Sequence, residues 1–250
     1  PKPRLAQLHG QPMPESFGRP ITAMGTANNS IMASKRVFQQ HGQSGLWVSD
    51  WYPHIAQHAD KLAVLRSCWA NGLNHVGSVC QMNTGDILAG RPALGAWTTY
   101  GLGTANHNLP SFVILVDQAE PLGGPKNWSA GFLPATYQGT QFRKGDVPIL
   151  NLKPAGGVTG EQQRSKLEYL QALNARYGLN KLDDTELDAR TRSFELAYQM
   201  QASGPEAVDL TKESEATKKL YGMDDETTRA FGTNCLLARR LVERGVRFVE

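Results

Sequence analysis

The stretch from Asn74 to Gly103 contains the side chains of this sequence whose types and spacing best suit chemistry. It opens on four polar or nucleophilic side chains, at Asn74, His75, Ser78 and Cys80. The spacing of apolar residues over 80–89 predicts a short helix, so Cys80 should lie at the start of that helix. Backbone N–H groups at a helix start lack partners within the helix, and they favour an anion or an ionised thiol. The stretch therefore predicts an anion-binding site with a nucleophile, Cys80, beside it.

The two candidate catalytic residues are Cys80 and His75, and each also has an ordinary structural interpretation. Cys80 could attack a substrate, or it could be a small buried side chain in the first turn of a helix. Thr84 and Ser78 are alternative nucleophiles, although either hydroxyl could simply cap a turn. His75 could donate a proton or orient a substrate oxyanion, or it could be a hydrogen-bonded loop residue.

Three further residues are candidates for substrate binding: Asn74, Asn83 and Arg91. Arg91 lies in a Gly-Arg-Pro corner that should open a second short helix. Its guanidinium could bind sulfate, phosphate or carboxylate through paired hydrogen bonds, or it could brace the corner by pairing with backbone carbonyls. The amides of Asn74 and Asn83 could donate to a substrate oxyanion or could satisfy the loop backbone. We expect Asn74 and His75 to line the same polar cleft as Cys80.

Apolar runs and amphipathic segments predict the elements that position this stretch. Three unbroken apolar runs predict strands at Lys61–Ser67, Pro110–Asp117 and Val246–Val249. Such runs are typical of strands covered on both faces, as in parallel sheets flanked by helices. Helical periodicity predicts helices at Leu46–Asp60, Gly160–Gly178, Asp184–Ser203, Ser214–Tyr221 and Asp225–Arg244. The long segment 118–160, rich in Gly and Pro, should help to wall the site.

The order of these elements predicts an α/β fold with a mostly parallel sheet flanked by helices. The loop that carries Cys80 should leave the carboxyl end of the Lys61–Ser67 strand, where open α/β sheets place their sites. The helical region 160–222 should be an insertion that forms a solvated cap. We expect residues 1–250 to be part of one such domain. Because the sequence stops directly after a predicted strand, we also expect it to be a fragment of a longer protein.

Composition excludes several classes of protein. The 250 residues are 40% hydrophobic and 20% charged, which is typical of a globular domain. The net charge is +3, from 26 basic and 23 acidic residues, and no dense run of Lys or Arg suggests binding to nucleic acid. No apolar run is long enough to span a membrane. The three cysteines show no metal-binding Cys-x-x-Cys spacing.

The distance from Cys80 to the Gly90-Arg91 pair resembles that in a motif of type I sulfatases. Those enzymes carry Cys-x-Pro-Ser-Arg followed by Leu-Thr-Gly-Arg, with the same distance from the cysteine to Gly-Arg. The corresponding sequence here is CQMNTGDILAGR. The proline and the arginine of the first motif are absent. An enzyme that oxidises the sulfatase cysteine to formylglycine recognises those two residues, so this sequence lacks the signal for that conversion.

A longer set of motifs resembles a bacterial family catalogued as domain of unknown function 1501. These motifs are GRPALGAWTTYGLG, NLPSFVIL, SAGFLPATYQGTQFR and CLLARRLVERGVRFVE, and they agree in order along almost the whole chain. The family is often labelled sulfatase-like and is grouped with the alkaline phosphatase superfamily of metal-dependent hydrolases. In that superfamily the nucleophile lies at the start of a helix after a strand, and Cys80 corresponds to that position.

The resemblance implies an alkaline-phosphatase-like fold and a metal-dependent hydrolase that acts on sulfate or phosphate esters of small molecules or glycans. It implies a divalent metal (Ca, Zn or Mg) with ligands mostly outside these residues, so we assign none of them to a metal. Family members usually carry a twin-arginine signal, which implies an exported protein, periplasmic or extracellular. The alternative is a secreted, sulfatase-derived binding or structural protein that keeps the fold without turnover.

Overall fold

The computed structural model describes residues 1–18, 21–22, 25, 28–117, 119–145, 147–149, 152, 156–178 and 185–250. These residues form two compact units, Pro1–Asn74 and His75–Glu250. The structure is of mixed α/β type, with helices and a small parallel sheet. None of the described helices combines the length and the apolar character that a membrane crossing requires.

The first unit is built around an antiparallel hairpin. Its elements are α1 (Pro3–Gln7), a 3-10 helix (Glu15–Phe17), β1 (Phe38–His41), β2 (Leu46–Ser49), α2 (Pro53–Ala56) and a second 3-10 helix (Ala59–Lys61). β1 and β2 pair from Phe38 opposite Ser49 to the turn. At that turn, the Asp60 carboxylate accepts hydrogen bonds from the backbone N–H groups of Ser44 and Gln43, at 2.7 and 3.0 Å. These bonds lower the pKa of the Asp60 carboxyl and fix the turn.

The predicted helix Leu46–Asp60 is wrong, because the segment forms β2 and then the short helix α2. Trp47, Trp51 and Ile55 recur every four residues, as a helix would require. However, Pro53 has no backbone N–H, so a continuous helix would lack a hydrogen bond near its middle. Pairing with β1 gives the first half of the segment another way to satisfy its backbone groups.

The predicted strand Lys61–Ser67 is also wrong. Residues 62–67 are irregular, and Leu65 is 81% exposed although it belongs to the apolar run. A strand needs a hydrogen-bonded neighbour. No other strand of the described chain pairs with this run. The apolar composition of the run therefore does not reflect burial between two layers.

The second unit is built on a parallel sheet. Its elements are α3 (His75–Thr84), α4 (Leu94–Leu102), β3 (Phe112–Leu115), 3-10 helices at Gly124–Trp128 and Ala135–Tyr137, β4 (Thr140–Phe142), α5 (Gly160–Gly178), α6 (Thr185–Val208), a 3-10 helix (Leu210–Lys212), α7 (Glu215–Leu220), α8 (Glu226–Glu243) and β5 (Phe248–Val249). The three strands lie in the order β4-β3-β5. Val113 pairs with Thr140 of β4, and Phe112 pairs with Phe248 of β5. β3 is therefore the central strand.

The predicted pairing of 112–116 with 246–249 is confirmed, since β3 and β5 are parallel neighbours. The third strand of the sheet is β4, not the predicted run 62–65. β4 lies in the segment that was predicted to be a long loop. Its three residues are too few to show a periodicity that would predict a strand.

The predictions for α5, α7 and α8 are confirmed to within one residue at each end. α6 also forms, but it continues to Val208 through the Gly204-Pro205 pair that should have ended it. Pro205 removes one backbone hydrogen bond from the helix. Beyond it, Ala207 is fully buried in the core of the sheet, and Val208 packs against that core. Burial of these side chains offsets the missing bond, so the second half of α6 is part of the main core.

β3 separates two layers of apolar packing. Val113 packs in a cluster with Leu241 of α8. Phe112 and Ile114 point to the opposite face and pack in a second cluster with Trp128. This alternation is the period of a strand with both faces covered. The helix α4 lies on the second face, where a Cβ atom at Gly95 would collide with the ring of Phe112.

A buried arginine joins the end of α6 to α8. Arg240 is 5% exposed. Its Nε donates to the carbonyl of Ala207 at 3.1 Å, and its Nη2 donates to the carbonyl of Glu206 at 2.7 Å. Its Nη1 donates to Oε1 of Glu213 at 2.7 Å. Hydrogen bonds from Arg240 and Arg239 lower the pKa of the Glu213 carboxyl, so this network is held together by charge.

Candidate active site on α3

Cys80 lies in the middle of α3, not at its start. The helix begins at His75 and ends at Thr84, so Cys80 is its sixth residue and the predicted position is wrong. The helix ends because Gly85 adopts a positive φ of 80°, a conformation that glycine supplies without strain. The predicted helical run 80–89 contained this glycine, and the true helix lies further toward the amino terminus.

The thiol of Cys80 lies beside the hydroxyl of Thr84. The two are one helical turn apart, and the Cys80 Sγ is 3.6 Å from the Thr84 Oγ1. Cys80 is 4% exposed, and α3 packs against the 3-10 helix Gly124–Trp128. The expectation that the thiol faces an open polar cleft is therefore wrong, although its surroundings include a polar group.

Thr84 connects Cys80 to a carboxylate and an arginine. The Thr84 Oγ1 donates to the carbonyl of Cys80 at 2.8 Å and accepts from the backbone N–H of Asp86 at 3.4 Å. The Asp86 Oδ2 lies 3.0 Å from the Arg91 Nε. The other carboxylate oxygen of Asp86 accepts from the backbone N–H of Leu88 at 3.0 Å. We call Cys80, Thr84, Asp86 and Arg91 the α3 cluster.

The Gly-Arg-Pro corner is tightly packed, while the Arg91 side chain is open to solvent. A Cβ atom at Gly131 would collide with the backbone of Arg91 and Pro92, so the 131 loop lies directly on the corner. The Ala93 N–H donates to the carbonyl of Ser129 at 3.0 Å, and α4 begins just afterwards, as predicted. The Arg91 side chain is 61% exposed. Its terminal nitrogens have no partner among the residues that the structure describes, so they can bind an anion.

The structure does not bring His75 to the α3 cluster. His75 precedes Cys80 by five residues, which places the two side chains about 140° apart around the helix. His75 is exposed and Cys80 is buried, so the predicted shared cleft is wrong. Asn83 lies nearer the Cys80 side, but its Nδ2 donates to the carbonyl of Val79 at 3.1 Å. Asn74 is exposed and is the last residue of the first unit.

Sequence reasoning missed two aspartates. Asp86 follows Thr84-Gly85, and its side chain accepts an N–H two residues later, which is the usual signal of an Asp in a turn. Asp117 follows β3 at the carboxyl end of the strand. Its Oδ1 is buried and has no hydrogen-bond partner within the described part of the chain. An aspartate just after a buried strand marks the edge where α/β sheets place their sites, and that signal was available in the sequence.

The described residues do not form a metal centre by themselves. Within the described ranges, no three side chains of His, Cys, Asp or Glu converge as metal ligands would. The α3 cluster contributes one thiol and one carboxylate, and the carboxylate is already paired with Arg91. We therefore assign no metal ligand to this part of the chain.

Comparison with known proteins identifies a family but no characterised relative. A family model described as "Protein of unknown function (DUF1501)" matches residues 1–250. Neither the comparison with curated proteins nor the comparison with solved structures finds a match. The expected resemblance to this family is confirmed, and the match extends from the first residue to the last. The chain belongs to the DUF1501 family of proteins of unknown function.

Proposed function

We propose that this protein is a sulfatase-like, metal-dependent hydrolase of sulfate or phosphate esters, with its nucleophile on α3. The observation that supports this most is the α3 cluster. It places a thiol and a hydroxyl 3.6 Å apart and links them, through Asp86, to an exposed guanidinium. A nucleophile beside an anion-binding group is what the transfer of a sulfuryl or phosphoryl group requires.

The proposed reaction has two steps. The Cys80 thiolate or the Thr84 oxygen attacks the sulfur or phosphorus atom in line with the ester oxygen. The proton of the Cys80 thiol or the Thr84 hydroxyl is released to water, a bond from the enzyme to the sulfur or phosphorus atom forms, and the ester bond breaks. The departing oxygen takes up a proton from water, and the alcohol leaves. Water then cleaves the enzyme-bound sulfate or phosphate. The terminal nitrogens of Arg91 bind the nonbridging oxygens, over which the charge of the transferred group is spread in the transition state.

Burial favours Thr84 over Cys80 as the group that substrate reaches first. Cys80 is 4% exposed, whereas Thr84 is half-buried. The Thr84 hydroxyl donates a hydrogen bond to the Cys80 carbonyl, and its Oγ1 also lies 3.2 Å from the carbonyl oxygen of Asp86. A threonine that attacked would first have to break these bonds. For Cys80 to attack, the 3-10 helix Gly124–Trp128, which packs on α3, would have to move away from its thiol.

The metal, the detailed fold and the localisation belong to the same proposal. The family resemblance implies a divalent metal (Ca, Zn or Mg), and we expect chelation by EDTA to abolish turnover. The described residues supply no ligand set, so residues elsewhere in the protein would hold the metal, which would help to stabilise the charged oxygens of the ester. The proposal includes an alkaline-phosphatase-like fold, with 160–222 as its helical insertion. It also includes export, which fractionation of the native cells would test.

The experiment compares three variants of the full-length protein, with p-nitrophenyl sulfate and p-nitrophenyl phosphate as substrates. If Cys80 is the nucleophile, Cys80→Ala abolishes turnover and leaves the melting temperature nearly unchanged. If the hydroxyl is the nucleophile, Thr84→Val abolishes turnover instead. Cys68→Ala is the matched control, because Cys68 is an exposed thiol in the first unit. Full activity in both α3 variants would exclude Cys80 and Thr84, and would leave Ser78 of α3 or a residue outside this helix as the nucleophile.

A second candidate function is binding without turnover. The observation that favours it is the burial of Cys80 together with the exposure of His75 on another side of α3. In that case the wild-type protein would bind sulfate or phosphate esters, and Arg91→Met would weaken the binding. No product would form with any of the substrates, with or without added metal. Turnover that is lost in an α3 variant would contradict this alternative.

A further inference from the structure

A large cleft lies at the carboxyl ends of β3 and β4, apart from the α3 cluster. Its volume is about 840 Å³, within the range typical of small-molecule sites. Val116 and Asp117 line it just after β3, and Arg143 lines it just after β4. Open α/β sheets bind their ligands outside the carboxyl ends of the strands. The cleft thus occupies the edge of this sheet where a ligand is expected.

The walls of the cleft combine an apolar surface with several charged groups. Val208 of α6 and Leu237 of α8 provide part of the apolar surface. Four basic side chains also line the cleft, Arg143, Lys144, Lys218 and Arg229, together with the acidic Asp117, Asp209 and Glu226. An apolar wall with a few converging polar groups is typical of a site that binds and orients a small molecule.

Two of the basic groups have donors to spare. The Arg143 side chain is exposed and has no partner among the residues that the structure describes. Arg229 uses its Nε to donate to the carbonyl of Met223 at 3.0 Å, which anchors the side chain. Its two terminal nitrogens have no described partner and stay available for a ligand. A guanidinium fixed by one bond, with both terminal nitrogens left as donors, is well suited to the oxygens of an anion.

The cleft also offers groups that can accept hydrogen bonds. The Asp117 Oδ1 is buried and receives no hydrogen bond from the part of the chain that the structure describes. A buried carboxylate oxygen without a donor costs free energy, and a small rotation of the Asp117 side chain that brings this oxygen to a donor on the ligand would recover it. Asn234 lines the same cleft, and its amide can both donate and accept. Asp117 and Arg143 follow adjacent strands of the sheet, since Leu115 pairs with Phe142.

We propose that this cleft binds a small hydroxylated anion. Such a ligand carries one phosphate, sulfate or carboxylate group together with hydroxyl groups. Arg143 and Arg229 bind the anionic group. Asp117 and Asn234 accept hydrogen bonds from the hydroxyls, and the apolar wall contacts the carbon skeleton. Neither a bare anion nor a neutral sugar satisfies both sets of groups, so the ligand with both features binds more tightly than either.

The inference does not depend on the proposed hydrolase function. None of the cleft residues belongs to the α3 cluster, and binding is measured in the presence of EDTA, where the proposed hydrolase does not turn over. The experiment is isothermal titration of the full chain with glucose 6-phosphate, inorganic phosphate and glucose. Glucose 6-phosphate should bind more tightly than either of the other two probes. Absence of binding by glucose 6-phosphate would overturn the proposal, while the test of hydrolysis on α3 would stand unaffected.

Two variants separate the anionic and the hydroxyl contacts. Arg143→Gln should weaken both glucose 6-phosphate and inorganic phosphate by about tenfold or more, because a charged hydrogen bond is lost. Asp117→Asn should weaken glucose 6-phosphate by about tenfold, yet leave inorganic phosphate unchanged or more tightly bound, since a negative charge is removed. Equal loss of the two ligands in Asp117→Asn would contradict the assigned role of Asp117.

Arg176→Gln is the matched control, because it removes the same charge from α5, away from the cleft. It should bind all three probes as the wild type does. A loss equal to that in Arg143→Gln would show a general charge effect and overturn the site. If Asp117→Asn fails to fold, Asn234→Ala on the surface of α8 tests the same contact, with glucose 6-phosphate weakened and phosphate unchanged. Wild-type affinity for glucose 6-phosphate in Asn234→Ala would then count against the proposal.

Discussion

At the scale of single residues, the cysteines differ most in their access to solvent. Cys68 is exposed, Cys235 is partly buried, and Cys80 is buried. A cysteine reacts quickly only as a thiolate that the reagent can reach. Burial raises the pKa of the Cys235 thiol, which leaves less of it ionised. Cys80, which the sequence indicates as a candidate nucleophile, should therefore be the least reactive of the three thiols in the folded state.

This difference predicts the order of alkylation in the native protein. Iodoacetamide should modify Cys68 first, Cys235 later, and Cys80 more than about tenfold slower than Cys68, because its reaction requires local opening. Peptide mapping by mass spectrometry measures the three rates. In concentrated urea the three thiols should react at similar rates, which is the control. Native labelling of Cys80 as fast as that of Cys68 would show that its thiol is open to substrate.

At the scale of elements, the contact between α4 and β3 decides where a glycine is required. Gly95 and Gly101 lie in the same helix, but only Gly95 faces the sheet. A Cβ atom at Gly95 would collide with the Phe112 ring, whereas a Cβ atom at Gly101 would meet nothing within 4 Å. The same substitution should therefore have opposite effects at the two positions.

Gly95→Ala should destabilise the protein by about 1–3 kcal/mol, because the core must shift to make room for the methyl group. Gly101→Ala should instead stabilise it by about 0.5 kcal/mol, because alanine loses less backbone entropy in a helix. Urea unfolding, followed by circular dichroism, measures both free energies. Equal effects of the two substitutions would show that α4 does not lie on β3 as described.

The elements also show which parts of the fold a sequence can predict. α8 is predicted well because its apolar face is long and Asp225 caps it, with the side chain accepting from the Thr227 N–H at 2.8 Å. β3 is predicted well because its apolar run is buried on both faces. The run 62–65 has a similar composition but pairs with no strand in the described part of the chain, and pairing is a property of distant residues. The position of Cys80 depended on one glycine, Gly85, whose positive φ ends α3.

The candidate site could also be predicted only in part, because it depends on contacts that the spacing of residues does not specify. The local motif correctly predicted the helix that follows Arg91. The link from Arg91 through Asp86 to Thr84 depends on the geometry of a turn, which spacing alone does not reveal. The cleft at Asp117 required knowledge that β4 lies beside β3. Three-residue strands leave too little pattern in a sequence for that pairing to be predicted.

At the scale of the whole molecule, stability should decrease in acid because of the network around Arg240. Hydrogen bonds from Arg244 lower the pKa of the Glu206 carboxyl, and those from Arg240 and Arg239 lower that of Glu213. Both folded pKa values therefore lie below the ordinary value of 4.5. The carboxylates stabilise the fold fully above the unfolded pKa, and this contribution is lost as the pH falls through the folded pKa.

The variant Glu213→Gln tests this dependence. It should be less stable than wild type near neutral pH, and the difference should shrink below the ordinary carboxyl pKa, because the wild type then loses the same charge. Urea unfolding at about pH 7 and about pH 3 measures the change. Glu215→Gln is the control, because Glu215 is exposed and its ion pair in the described structure lies within α7, with Lys218. A constant difference between Glu213→Gln and wild type at both pH values would contradict the prediction.

The central position of β3 also has a consequence for the order in which the protein can fold during its synthesis. One neighbour, β4, follows β3 closely in the sequence, but the other, β5, leaves the ribosome only after α5, α6, α7 and α8. Until then, the Leu115 N–H and the Val113 carbonyl lack their partners on Glu250, at 2.7 and 3.0 Å in the folded chain. An unpaired strand edge can pair with a neighbouring nascent chain. The protein should therefore be most prone to association with other chains while its long helices are being translated.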